Sequence, residues 1–170
     1  MPLDEVEELD VDGICRVLAN HGVEFVVIGG VAGIIHGSTM ITRDFDMVPR
    51  RGENLDRLAS ALVELGAEVQ FAGKVRNLGH GEWLTAASTW NFDTRLGKFD
   101  VLFSPSGAGD FDFLAQTALI GTLGVGLTVL VASLDDLIAM KESAGRPKDL
   151  LALPTLRWLR DRGPDEDEPG

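Results

Sequence analysis

The chain has 170 residues, 45% of them hydrophobic, one cysteine and a net charge of −12. That is enough chain for one domain with a real core, too apolar for a disordered polypeptide, and it excludes an internal disulfide or a cysteine metal cluster. The acidic balance argues against a nucleic-acid partner, although six of the acids lie at positions 4–12 and four at 165–168, and the body without them stands at −2. Local basic patches therefore remain open, with Arg43, Arg50, Arg51, Lys141, Arg146 and Lys148 among the cations that could build them. The opening MPLDEVEELD has no basic-then-apolar signal layout. The longest apolar run, Phe25 to Ile35, is broken by three glycines and too short to span a bilayer. We expect a soluble, cytoplasmic chain without a membrane partner: one domain over 1–163, then an acidic disordered tail over 164–170.

The stretch GICRVLANHG has helical periodicity and stops at Gly22, with Cys15 as a small core residue. EFVVIG reads as a buried strand, VAGIIHG as a short helix ending at Gly37, and DFDMV as a second strand. ENLDRLASALVELG is an amphipathic helix with Leu55, Leu58, Leu62 and Leu65 on one side. Residues 70–88 give no clear signal. STWNFDTRLGKFDVLF reads as two strands around a turn at Gly97, and ALIGTLGVGLTVLVA as another pair. SLDDLIAMKESAG is a helix capped by Ser133, and a last helix restarts at Pro147. The order predicts a single α/β domain, a mixed sheet flanked by helices with the C-terminal helices packed beside it. The strands follow one another too closely for a regular doubly wound fold.

Asp44 and Asp46 alternate with Phe45 and Met47, so both aspartates leave the same face of their strand, about 7 Å apart. They read either as a solvated acidic strand edge or as hard oxygen ligands of the kind Mg²⁺ prefers. Gly29-Gly30 reads either as a tight turn or as a close backbone approach to a phosphate. Asp100 lies in KFDVLF opposite the apolar face of Phe99, Val101 and Phe103, where an unpaired buried carboxylate would be costly. A metal shared with Asp44 and Asp46 would remove that cost, and three such carboxylates suffice for a two-metal site. Lys141 continues the Leu134, Leu137, Ile138 stripe of its helix, and either snorkels to water or reaches into a cleft. His21 and His36 read as helix-end residues, and the three histidines build no zinc site by their spacing.

The combination resembles the DNA polymerase beta-like nucleotidyltransferase superfamily: GGVAGIIHGSTMITRDFDMV, a later acid in GKFDVLF, and SLDDLIAMKESAGRPKDL. Within it the sequence is most similar to the bacterial AbiEii and MenT-type toxins, over roughly residues 24–153. The resemblance implies a nucleoside triphosphate as substrate, held with its phosphates at Gly29 and Gly30, with a hydroxyl supplied by Ser38. It implies Asp44, Asp46 and Asp100 as ligands of two Mg²⁺ ions, and catalytic roles for those acids. Lys141 and the basic segment with Lys148 would support triphosphate binding and catalysis. Met40 stands where related sequences tend to carry arginine, and Arg146 and Asp149 have no settled role; Asp149 reads as a cap or an ion-pair partner.

The expected function is therefore nucleotidyl transfer to a hydroxyl of RNA, tRNA in particular, by the toxin of a toxin–antitoxin pair with an antitoxin protein as partner. Transfer to a small molecule such as an aminoglycoside is the alternative, since a cationic acceptor suits the acidic balance. Transfer to a protein hydroxyl and a catalytically inert interaction module are further readings. For an RNA acceptor, Arg43, Arg50 and Arg51 would face Lys141, Arg146 and Lys148 across one groove.

Overall fold

The computed structural model describes residues 8–163 except 71, 76–79 and 125. The predicted acidic tail lies outside the described residues.

Helix α1 (Val11–Asn20) begins where the Asp10 carboxylate accepts from the Gly13 amide at 2.8 Å, and it buries Ile14, Cys15, Val17 and Leu18. Strand β1 (Phe25–Ile28) is buried throughout, as its run of apolar residues requires. It passes directly into α2 (Gly29–Ile35) and then, after a loop, into β2 (Asp44–Pro49). Helix α3 (Asn54–Glu64) buries the predicted leucine stripe. A short strand, β3 (Glu68–Val69), precedes the segment without a clear signal, and β4 (Gly73–Lys74) and a 3₁₀ turn (Glu82–Ala86) lie within it. The hairpin of β5 (Thr89–Thr94) and β6 (Gly97–Leu102) turns near Gly97, whose φ of 115° suits glycine. Helix α4 (Phe111–Ala115) precedes the second hairpin, β7 (Leu119–Leu123) and β8 (Leu127–Val131). Helix α5 (Leu134–Ala144) starts on the predicted Ser133 cap, whose hydroxyl accepts from the Asp136 amide at 3.1 Å. Gly145, left-handed at φ 61°, turns the chain into α6 (Pro147–Arg162).

The strands form one mixed sheet in the order β4-β3-β5-β6-β2-β1-β8-β7. At its centre β2 pairs antiparallel with β1 and parallel with β6, while β1 runs parallel to β8. Phe25, Phe45, Phe99 and Phe92 pack on one another across these strands, Phe45 and Phe99 with ring centroids 5.5 Å apart. Two expectations are corrected at the level of elements. The short helix after β1 begins at Gly29, not past the glycine pair, so both glycines are its first residues. Helix α4 went unseen because five residues are too few to establish a helical period. No helix among the described residues is long and apolar enough to cross a membrane.

Candidate functional site

The parallel pairing of β2 with β6 sets Asp46 directly beside Asp100, and Asp44 beside Lys98. Neighbours in register share a sheet face, so the three acids spaced along the chain leave the sheet on one side. The apolar residues between them, Phe45, Met47, Phe99 and Val101, are fully buried on the other. On the flanks, Asp46 is in register with Ile28 of β1 and Asp100 with Asn91 of β5.

Gly29 and Gly30 are glycines for steric reasons. Gly29 has φ 69°, and a Cβ on it would collide with the Asp46 carboxylate. A Cβ on Gly30 would stand 2.7 Å from the Thr42 hydroxyl oxygen. The start of α2 is thus pressed against the acidic strand, and no side chain caps it.

Two cavities meet over the acids. One, of about 320 Å³, lies between the β5–β6 hairpin and α5 and is walled by Thr89, Asn91, Asp100, Leu102, Ser106 and Met140. The other, of about 280 Å³, lies between the 38–43 loop and α6 and is walled by Gly30, Ser38, Met40, Arg43, Ala152 and Leu156. Gly29, Asp44, Asp46, Lys141, Arg146 and Lys148 line both. Every site residue predicted from the sequence therefore borders this double cleft, including Ser38, whose hydroxyl accepts from the Met40 amide at 3.2 Å. The histidines lie elsewhere, His21 against Glu64 and His36 on the carbonyl of Ala132.

Burial raises the Asp46 carboxyl to about 7, and the charges of Asp100 and Asp44 push in the same direction against the pull of Lys141. Asp100 is raised as well, chiefly by burial, with Lys98 and Lys148 opposing. A proton held between the two side chains raises Asp46 and lowers Asp100. Among the described residues no group of three or more His, Cys, Asp or Glu side chains stands ready-made to hold a metal ion. The donor chemistry of the cleft nevertheless fits a hard dication: it holds crowded carboxylates whose charged forms are disfavoured until a cation joins them.

Asp149 is the residue that sequence reasoning left without a settled role. Its side chain is 1% exposed, and it ties together the two cationic groups that close the cleft. It accepts from Lys141 Nζ at 3.1 Å, from Arg146 Nε at 2.7 Å and Nη2 at 3.3 Å, and from the Arg146 amide at 3.2 Å. Burial works against its charge, but the Arg146 and Lys141 contacts prevail and hold its carboxyl down at about 2. Lys141 is therefore neither a snorkelling side chain nor a free one. It is 22% exposed and fixed at the junction of the two cavities. Thr89, Asn91 and Ser106 were also overlooked. Alternation alone could have found Asn91, which lies between the aromatic positions Trp90 and Phe92 on the opposite side of β5.

The expectation that Arg50 and Arg51 flank the acids is overturned. They follow the far end of β2, about 20 Å along the strand from Asp44 at a rise near 3.3 Å per residue. Arg50 bonds Glu24 at 3.2 Å and lies over Phe111, and Arg51 stacks over Phe103 with its guanidinium carbon 4.5 Å from the ring centroid. The cations at the cleft are Arg43, Lys141, Arg146 and Lys148.

No family model matches the sequence, and no curated protein is significantly similar to it. Solved structures are similar in three dimensions. The lincosamide antibiotic adenylyltransferase LnuA, lincomycin-bound, superposes with a TM-score of 0.61 at 12% identity over 89% of this chain and 99% of that one. ANT(2″)-Ia in complex with adenylyl-2″-tobramycin gives 0.56 at 15% identity, over 89% and 93%. An antigenic nucleotidyltransferase-like protein from Paracoccidioides brasiliensis gives 0.54 at 18%, over 89% and 78%. With so few residues shared, the likeness is one of architecture: the chain has the nucleotidyltransferase fold.

Proposed function

We propose that the chain is a nucleotidyltransferase that moves a nucleoside monophosphate from a nucleoside triphosphate to a hydroxyl acceptor. The observation that carries this reading is the register of Asp46 beside Asp100, with Asp44 on the same face, under a cleft closed by Lys141, Arg146 and Lys148. The smaller cavity suits the triphosphate: it combines the uncapped amides of Gly29 and Gly30, the Ser38 hydroxyl and the cations Arg43 and Lys148. The larger cavity suits the acceptor, with Asp100, Asn91 and Thr89 available to its polar groups.

Mg²⁺ held by Asp44, Asp46 and Asp100 would supply the charge neutralisation that phosphoryl chemistry needs. The chain's own residues do the rest. Asp100 takes the proton of the acceptor hydroxyl. The hydroxyl oxygen bonds to the α-phosphorus, the bond from that phosphorus to its bridging oxygen breaks, and pyrophosphate leaves on the side of Gly30 and Arg43. Lys141, immobilised by Asp149, stands where charge builds in the transition state.

For the acceptor, a small hydroxylated molecule of cationic character is the better-supported class. Asp44, Asp93 and Asp100 crowd the acceptor side around Gln70 and Asn91, with Lys98 as the cation among them, so the acids there outnumber the cation. The cations that could follow an RNA backbone are reduced to those the triphosphate needs, because Arg50 and Arg51 stand elsewhere. Among the similar folds are a lincosamide antibiotic adenylyltransferase and ANT(2″)-Ia in complex with adenylyl-2″-tobramycin. An RNA acceptor, tRNA in particular, as for a toxin with its antitoxin, is the second reading; the four cations of the cleft are what favours it.

The test is incubation of the full chain with each α-labelled triphosphate and Mg²⁺, in parallel with a panel of aminoglycosides and lincosamides and with total tRNA. Label on a small amine-bearing acceptor, lost in Asp44→Asn, is expected. Label on tRNA alone overturns the acceptor class. No transfer from any triphosphate to any acceptor overturns the activity.

A further inference from the structure

The loop between α2 and β2 brings two hydroxyls to the smaller cavity, and their hydrogen bonds distinguish what each can do. Ser38 accepts from the Met40 amide at 3.2 Å and so keeps its own proton to give to a ligand. Thr42 has already given its proton: Oγ1 donates to the backbone carbonyl of Asp44 at 3.2 Å, in a part-buried setting. The same side chain lies flat against Gly30. A Cβ on Gly30 would stand 2.7 Å from Thr42 Oγ1 and 2.8 Å from Thr42 Cβ, and its three nearest neighbours would all be atoms of Thr42. Gly30 does not have a positive φ, so this contact, and not the backbone conformation, is what demands glycine there. One threonine therefore touches the first turn of α2 on one side and bonds the first residue of β2 on the other.

We propose that Thr42 is a positioning residue: it sets the start of α2, whose amides are offered to the triphosphate, against Asp44. This rests on the nucleotidyltransferase reading above and adds a residue to it. Residues 38–43 have no regular secondary structure, so no helix or ladder bond along the loop fixes the Gly30 amide relative to Asp44. The contact of Gly29 with the Asp46 carboxylate holds the helix start at one point. A helix start held at one point swings about it. Thr42 supplies a second point, against Gly30, and ties that point to the backbone of Asp44. The direction in which α2 presents its amides is then fixed with respect to both acids of β2. Transfer depends on that direction, because the α-phosphorus has to lie in line with the attacking oxygen above the acids. With its only proton on the Asp44 carbonyl, Thr42 gives no hydrogen bond to a phosphate, so its effect falls on alignment and not on affinity.

Steady-state rates of the full chain test this, with α-labelled triphosphate and Mg²⁺ and whichever aminoglycoside, lincosamide or tRNA acceptor the wild type labels, well below the melting temperature of each variant. Thr42→Val keeps the branching but replaces the donor with a methyl group; it should lower kcat roughly tenfold or more, as a misplaced reacting group does, with KM for the triphosphate within about threefold of wild type. Thr42→Ala, which removes the donor without adding bulk at the Asp44 carbonyl, should lose as much and serves if the valine variant does not fold. Thr42→Ser keeps the donor and should return kcat to within about threefold of wild type. Wild-type kcat in the valine and alanine variants, a loss confined to KM (the mark of direct phosphate contact), or a serine variant as slow as the valine one each overturns the role of Thr42 alone. A wild type that labels no acceptor overturns the activity, and this role with it.

Discussion

At the scale of single residues, Asp149 borders the larger cavity but shapes the cleft by giving its carboxylate to Lys141 and Arg146. An aspartate eight residues past Lys141 and three past Arg146 looks in the sequence like one more charge on a helix. Only the left-handed turn at Gly145 folds α6 back so that one buried carboxylate meets both cations. We expect Asp149→Asn to cost roughly 1.5–3 kcal/mol in a urea titration at pH 7, the range for hydrogen bonds to charged groups. Transfer should fall on the order of 10²-fold, as a displaced reacting group typically does. The pH dependence has a definite sign. Because the folded carboxyl is held near 2, below the ordinary range near 3.9, its contribution is present above pH 4 and is lost as pH falls from about 4 to 2. The stability gap between wild type and Asp149→Asn should therefore close over that interval, and a gap that persists at pH 2 contradicts the assignment. The three acids were legible, since alternation with Phe45, Met47, Phe99 and Val101 gives their side of each strand directly. Their convergence was expected from the cost of burying Asp100 and from the resemblance, and the register of Asp46 beside Asp100 agrees with it; the pairing of β2 with β6 itself has no local signal in the sequence.

At the scale of elements, the entry into α2 is the tightest piece of backbone at the site. The glycine pair was legible as a place of close approach, but what it approaches is the protein itself, Asp46 and Thr42, as well as whatever enters the cleft. Gly29→Ala must either adopt a left-handed conformation that alanine resists or push Asp46 aside. We expect about 1–3 kcal/mol of destabilisation from the backbone alone, read from thermal melts, and loss of transfer with it. If Asp46 does hold Mg²⁺, saturating Mg²⁺ with triphosphate should raise the melting temperature of the wild type, by about 2.7 kcal/mol of stability at a hundredfold excess over the dissociation constant. The rise should vanish in Asp46→Asn. The strands and helices that were legible are those long enough to show a period. β3, β4 and α4, at two, two and five residues, are shaped by the neighbours they pack on, a tertiary influence that local pattern does not record.

At the scale of the molecule, charge is sorted by position along the central strand. Asp44 and Asp46 begin β2 on the cleft side, and Arg50 and Arg51 follow its other end in contact with Glu24, Phe111 and Phe103. Net charge and the positions of cations in the sequence could not distinguish these ends, since a strand of six residues separates neighbours in sequence by most of a domain's width. Arg50→Glu with Arg51→Glu should leave the rate of transfer to any acceptor within about twofold of wild type while lowering stability by roughly 0.5–1 kcal/mol, as for exposed ion pairs and cation–π contacts; a large fall in rate would place an acceptor on that end after all. The order in which the chain supplies its parts has a consequence during synthesis. The acids are complete once Asp100 has been made, yet Lys141, Arg146 and Asp149 come from the last two helices. A chain released after Val131 would therefore carry all three carboxylates without the clamp of Lys141, Arg146 and Asp149, and is expected to transfer nothing.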